Sequence, residues 1–294
     1  MTEKEREALE KMGADIRLRN LSESTLTNYT KCVQAFWAYC NRPVMELDEN
    51  DVRRYLEYLA VEKKLAPRTV NLHCCAIRFF FAIGLNRYMN YLQMPLMKVP
   101  KTLPDLLTKE EISTLISACT NVKHKAQFLL AYGSGLRSGE IVKLLVKDID
   151  SQKMRVFVRA GKNKRDHYTI LSQSTLGTLR EYWQLFRPKN PGGWLFPGTD
   201  NGHISRSAVS TAFYHYINNT NITKDVSPHS LRHAFATHML EDGVDIMKIK
   251  EMLGHNSINS TTVYLHLVNS TKGITSPADT ITSPADTMTV TPDD

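Results

Sequence analysis

The chain reads as a mainly α-helical protein of two domains, interrupted once by a small β-hairpin. Three observations carry this. Apolar residues recur at helical spacing through most of the first 90 positions, as in Leu26, Tyr29, Val33, Phe36 and Trp37. A proline-rich break without periodicity, "PLMKVPKTLPDLL" at 95–107, separates that region from a second one. One later segment, "MRVFVRAGKNKRDHYTIL", flanks a Gly/Asn/Asp turn with β-branched and aromatic residues.

In chain order, residues 1–20 read as a charged helical lead-in. A helix is predicted from Ser22 or Ser24 through "STLTNYTKCVQAFWAYC". The next is capped by Asp48 or Asn50, with Val52, Tyr55, Leu56 and Leu59 inward. A third enters at Pro67 and stops at Gly84. Residues 1–94 therefore form a helical domain and 95–107 a linker. A second domain over 108–270 opens at Thr108, which with Glu111 fits a capping box. Helices are predicted in "KAQFLLAYGSG", and after the hairpin in "SQSTLGTLREYWQLF", "SRSAVSTAFYHYIN", "PHSLRHAFATHMLEDG" and "DIMKIKEMLG". Residues 271–294 carry the tandem "ITSPADT" at 274–280 and 281–287 and are expected to be a disordered acidic tail.

The formal charge of the chain is +7. Residues 1–100 hold 15 Lys/Arg against 12 Asp/Glu, residues 101–273 hold 22 against 14, and residues 274–294 hold four Asp and no base. The excess positive charge thus collects in the second domain, which favours a polyanionic partner. Five cysteines, none in C-x-x-C spacing, argue against a disulfide framework or zinc ribbon and for free thiols. No stretch is apolar enough to span a bilayer, and the charged start is no signal peptide, so a cytoplasmic, nucleoid-associated location without membrane contact is expected.

Six residues of the second domain have the chemistry to break and rejoin a phosphodiester: Arg137, Lys162, His229, Arg232, His255 and Tyr264. Planar guanidinium groups bind non-bridging oxygens bidentately where attack concentrates negative charge. Arg137 follows "GSGL", with Glu140 three residues on to hold it. Pro228 at the first turn of a helix capped by Ser227 places His229 and Arg232 on one face, near backbone N–H groups that favour anions. Lys162 shares the hairpin turn with Lys164 and Arg165, and local sequence does not choose among them as a proton donor. Residues 147–167 hold seven Lys/Arg against three Asp, which also suits contact with a DNA backbone. Gly254 ends a helix and puts His255 in a turn. Taken alone, each fragment has an ordinary reading: a surface ion pair, a solvated basic turn, a tyrosine in a core. An ionised phenol, however, needs a nearby base and an electropositive cradle, and the other five supply both. His229, His233 and His238 also raise a metal site, but "HSLRH" lacks the Glu of H-E-x-x-H and carries an Arg instead.

These fragments, "GSGLRSGE", "GKNKRD", "SPHSLRHAFATH", "LGH" and "TTVYLH", resemble the tyrosine recombinase (phage integrase) family, and within it the compact Xer-like enzymes. The resemblance spans roughly residues 22–268 and is densest from Ser227 to Leu267. It implies a SAM-like core-binding domain and an α+β catalytic domain that together clamp duplex DNA. It makes Arg137 and Arg232 the phosphate-binding arginines and Lys162 the acid for the 5′ leaving oxygen. By the same likeness His229 moves the tyrosine proton, His255 bonds the scissile phosphate, Tyr264 is the nucleophile and Glu140 is a supporting acid. The implied activity is site-specific recombination through a 3′-phosphotyrosine and a Holliday junction, by a tetramer on two DNA sites. No metal or nucleotide cofactor is chemically required, since the covalent link conserves the bond energy. A type IB topoisomerase-like relaxase and a catalytically inactive DNA-binding protein are the alternatives. An additional arm-binding domain before residue 20 and a large insertion between Lys162 and His229 are not expected. After Leu267 the sequence offers no amphipathic stripe for docking a terminal helix on a neighbouring subunit.

Overall fold

A computed structural model describes residues 2–100, 105–159, 165–188, 191–199 and 201–266, without the side chains at 91, 259, 263 and 266. The chain divides into two compact units, Met1–Thr102 and Leu103–Asp294.

The first unit is built from α1 (Glu3–Leu18), α2 (Glu23–Cys40), α3 (Glu49–Glu57) and α4 (Pro67–Phe79). Each start has a local cause. Thr2 and Glu5 close a capping box on α1, Ser22 caps α2, Asp48 and Asp51 close a box on α3, and Pro67 opens α4. α3 and α4 each end in a wider π-helical turn, Tyr58–Glu62 and Phe80–Gly84, which periodicity did not predict. α1 is not a detached lead-in. Ala8, Met12 and Ile16 lie four apart on one face and are buried with Val33, Phe36, Leu47, Val52, Tyr55, Ile77 and Phe80. The stretch beyond α4 is tied back to this unit, since Met94 is buried and Asn71 Nδ2 donates to the Met97 carbonyl at 2.9 Å.

The second unit starts at α5 (Lys109–Ala118), where Thr108 and Glu111 form the expected box. Leu107, just before it, is already buried in this unit's core, so the extended stretch ends earlier than position 107. α6 (Val122–Gly133) packs against α8 (Gln173–Phe186), α9 (Arg206–Ile217) and α10 (Pro228–Glu241). Phe128, Leu130, Tyr182, Phe196, Phe213 and Leu231 fill the space between them. A short α7 (Ser138–Ile141) comes directly after α6. α11 (Ile246–Met252) and α12 (Asn259–Thr262) close the described chain, with one 3-10 turn, Val263–His266.

The expected hairpin strands are β2 (Arg155–Val158) and β3 (His167–Ile170), antiparallel, with Val158 opposite His167 and Val156 opposite Thr169. A third strand too short to read from sequence, β1 (Ile149–Asp150), pairs with β2. Val156, Val158 and Thr169 face the interior, while Arg155 stacks over the Tyr168 ring at 4.0 Å on the other face. The hairpin turn with Lys162 and Lys164, and the repeat-bearing tail, lie outside the described residues. All five cysteines are free thiols.

Phe36, fully buried, links α2 to the Tyr55 ring of α3 and to Phe81 in the π-helical turn after α4. Phe36→Ala should cost the first unit about 3–5 kcal/mol, read by urea unfolding from the emission of its neighbour Trp37. A loss below about 1 kcal/mol would mean that the ring is not a core element.

Candidate active site

Arg232 is the centre of the site. It sits on the first turn of α10 and is 1% exposed. A guanidinium so deep needs acceptors. Nη1 donates to the Gly135 carbonyl at 2.7 Å and to Glu140 Oε2 at 3.3 Å; Nη2 donates to the Leu253 carbonyl at 2.6 Å. Its Nε makes no well-formed hydrogen bond among the described residues, although the guanidinium also interacts with the Tyr264 hydroxyl. Gly135 can present that carbonyl because it holds φ +66, and a Cβ there would meet the Phe235 ring at 2.5 Å.

Arg137 is the N-cap of α7. Glu140 accepts from the Arg137 backbone N–H at 2.8 Å and from its Nη1 at 2.7 Å. One carboxylate therefore holds both arginines, Arg232 reaching it across 92 residues of sequence. The Arg137 side chain remains 27% exposed, so a cation faces solvent above a buried one. Desolvation and the like charge of Arg137 lower the Arg232 pKa to about 10, still cationic at neutral pH. Burial alone would raise Glu140, but Arg232 and the Arg137 N–H and guanidinium outweigh it and lower its pKa.

His255 follows Gly254, which holds φ +61 as a helix-ending glycine should. Its Nε2 lies 3.1 Å from Arg232 Nη2, and its Nδ1 lies 2.8 Å from Thr261 Oγ1. A guanidinium can only donate, so Nε2 accepts and the ring proton sits on Nδ1. In the free chain His255 is thus an acceptor toward the arginine.

Tyr264 lies in the 3-10 turn and is 3% exposed. Its ring stacks on His255, with centroids 6.5 Å apart and planes within 10°, and tilts against His233 at 5.5 Å. Phe235, Ala236, Ile249 and Leu253 complete its surroundings. Burial raises its pKa, and the Arg232 and Arg137 charges pull it back. Tyr264 is therefore both a packed core ring and a neighbour of two cations.

His229 is solvent-exposed on the opening turn of α10, its ring 4.4 Å from that of His233. Desolvation at the site, then His233 and the two arginines, lower its pKa to about 4, so at neutral pH it is a proton acceptor. The helix start differs from expectation in one detail. Ser227 is the N-cap residue, but the bond made there runs from its backbone N–H to Ser230 Oγ at 3.1 Å. His238 is elsewhere, with Nδ1 3.1 Å from the Tyr132 hydroxyl.

The structure thus gathers Arg137, Glu140, His229, Arg232, His255 and Tyr264. Arg165 is exposed and lines a neighbouring cleft with Lys250 and His255. Lys162 and Lys164 lie outside the described residues. The motifs did not single out Thr261, which accepts from His255 Nδ1, or His167, which lines the same cleft as Arg165. The arrangement can grip an oxyanion with two cations, accept a proton at His229 and bring a phenol to the gripped group.

The sequence profile of the phage integrase family matches residues 105–270, and that of the phage integrase N-terminal SAM-like domain matches residues 8–91. The chain belongs to the phage integrase family of tyrosine recombinases. It is 40% identical over 263 residues to the candidate integrase/recombinase y4qK of Sinorhizobium fredii, covering 89% of this chain and 84% of that one. It is 34% identical over 264 residues to tyrosine recombinase XerA of Pyrococcus furiosus, covering 88% of each. Among solved structures, the XerH site-specific recombinase bound to palindromic difH substrate shares the fold with a TM-score of 0.70 at 18% identity, over 86% of this chain and 79% of that one.

Glu140 offers a test of the electrostatics. A carboxyl lowered on folding from its ordinary 4.5 contributes stability above that pH and loses it as pH falls through the folded value. Glu140→Gln leaves Arg232 without its anion and should cost about 3 kcal/mol at pH 7. The deficit should shrink below pH 4.5 in chemical denaturation at several pH values. A deficit that does not change with pH would mean that charge is not what Glu140 supplies.

Proposed function

We propose that this tyrosine recombinase cleaves and rejoins duplex DNA at a specific site with Tyr264 as nucleophile. The observation that carries the reading is the pairing of Arg137 and Arg232 on Glu140, beside the Tyr264 ring and with the Arg232 Nε making no well-formed hydrogen bond among the described residues. Two adjacent cations repel, and a phosphodiester between them relieves that repulsion while accepting their N–H groups.

In the proposed step the Tyr264 oxygen attacks phosphorus, the P–O5′ bond breaks and a 3′-phosphotyrosine forms. The phenol proton passes to His229, which is neutral at physiological pH. Lys162 gives a proton to the departing 5′-oxygen. The arriving phosphate competes with His255 for the Arg232 N–H, and His255, freed from that bond, turns an N–H toward the phosphate. Because Tyr264 is 3% exposed in the free chain, DNA engagement has to part the rings that flank it. Lys164 and Arg165 contact the backbone beside the cut. The helical unit over 1–94 and the unit over 108–270 both engage the DNA. A 5′-hydroxyl from a partner strand then reverses the step, and four protomers on two sites exchange one pair of strands at a time through a Holliday junction.

Tyr264→Phe should bind DNA but form no covalent adduct on a nicked suicide substrate, and a normal adduct yield would remove Tyr264 from the mechanism. Arg137→Lys should lose most cleavage activity while still binding, because an ammonium cannot reproduce the bidentate grip. Wild-type-like cleavage by that variant would remove the bidentate contact. Joining between two separately labelled sites distinguishes recombination from relaxation of a single duplex.

A further inference from the structure

His167 opens β3, directly after the hairpin turn. Val158, its partner across the ladder, is buried, as are Val156 and Thr169. Side chains alternate along a strand, so His167 is directed to the same inner face as Thr169. There its ring lies on Gly254, where a Cβ would come within 2.6 Å of Nδ1. Arg165 and Asp166 from the strand's approach, and Lys250, Glu251, His255 and Asn256 from α11 and the turn after it, line the adjoining cleft of about 700 Å³. Gly254, on which the ring lies, is flanked in the chain by Leu253, whose carbonyl accepts from Arg232, and by His255, whose Nε2 lies 3.1 Å from Arg232 Nη2, so the ring is next to the arginine site.

Among the described residues neither ring nitrogen makes a well-formed hydrogen bond, the Arg165 carbonyl being only a weak acceptor toward the ring, and both nitrogens are shielded from water. An unsatisfied buried polar group costs about 1–3 kcal/mol, and an apolar ring of the same shape would avoid that cost. A donor kept at that expense beside two phosphate-gripping cations is suited to a ligand that brings an acceptor.

We propose that His167 is a further catalytic residue of the strand-cleavage reaction, donating an N–H hydrogen bond to a non-bridging oxygen of the phosphodiester held by Arg137 and Arg232. This role rests on the recombinase reading of the site. A neutral imidazole carries one N–H, so the donation needs no change of charge. The oxygen gains negative charge as the phenol attacks, so the bond strengthens in the transition state and acts on rate more than on binding. It is separate from protonation of the leaving oxygen, which falls to Lys162.

The test uses the full chain in single-turnover cleavage of a nicked suicide substrate at saturating protein, with wild type and Tyr264→Phe alongside. His167→Phe keeps a ring on Gly254 but removes both nitrogens. It should cleave about 100-fold more slowly, with DNA affinity and melting temperature near wild type. His167→Gln keeps an N–H and should stay within about tenfold of wild type. A substrate with sulfur in place of the bridging 5′-oxygen needs no acid to leave, and the Phe defect should persist on it. Wild-type cleavage by His167→Phe would reduce the ring to a space filler and overturn the proposal. Full recovery on the sulfur substrate would overturn it too, by moving the residue to the leaving group. If the Phe variant melts lower, Gln against Leu decides: equal rates overturn the proposal, and a slower Leu supports it. A wild-type protein that forms no adduct would instead sink the recombinase reading on which the proposal rests.

Discussion

A guanidinium buried to 1% exposure organises the second unit. Taking the Arg232 charge out of water costs several kcal/mol, and acceptors placed around its two Nη groups offset it. Those acceptors come from three places: the Gly135 carbonyl after α6, the Glu140 carboxylate in α7 and the Leu253 carbonyl at the end of α11. Satisfying one side chain therefore fixes the relative positions of four helical segments. The glycines answer the same demand. Gly135 turns its carbonyl inward in a conformation that side chains rarely adopt, and Gly254 holds a similar conformation one residue after the Leu253 acceptor. A buried ion network of this kind is seldom the most stable filling for a core. Its retention fits a site that spends stability on holding positive charge in place.

The same network sets the resting state of the groups around it. His255 accepts from Arg232 and donates to Thr261, Tyr264 is packed between two imidazoles, and His229 is kept neutral by desolvation first and then by His233 and the two arginines. In the proposed mechanism each of these changes when an anion enters: a phosphate would give Arg232 another acceptor, loosen its hold on His255 and weaken the electrostatic penalty on protonating His229. The free chain therefore holds the Tyr264 side chain covered, and in the proposed mechanism the substrate's own charge begins its release.

Most helix starts were legible in the sequence because their causes are local. Thr108 with Glu111, Asp48 with Asp51, and Pro67 each act within one turn. The paired strands were legible from alternation, but β1, two residues long, has no period to detect. The role of α1 was obscured by its many charges, although Ala8, Met12 and Ile16 already held helical spacing. In the site, motifs located Arg137, Glu140, Arg232, His255 and Tyr264, yet not their geometry. Nothing local says that His255 Nε2 accepts from Arg232, because that bond is made across 23 residues of chain. His167 carried a usable signal, since alternation from the apolar residues of the hairpin points it inward, but it reads as part of a basic turn. His233 was weighed only as a metal ligand, whereas its ring packs between His229 and Tyr264.

The proposed chemistry depends on one phosphorus meeting one phenol oxygen beside paired arginines. Trapping the protein on a nicked duplex, digesting both polymers and sequencing the nucleotide-bearing peptide by mass spectrometry tests this most directly. The expected result is a nucleotide mass on the peptide that contains Tyr264, located at that residue by fragmentation. A nucleotide on any other side chain, or cleavage without a covalent peptide, would contradict it.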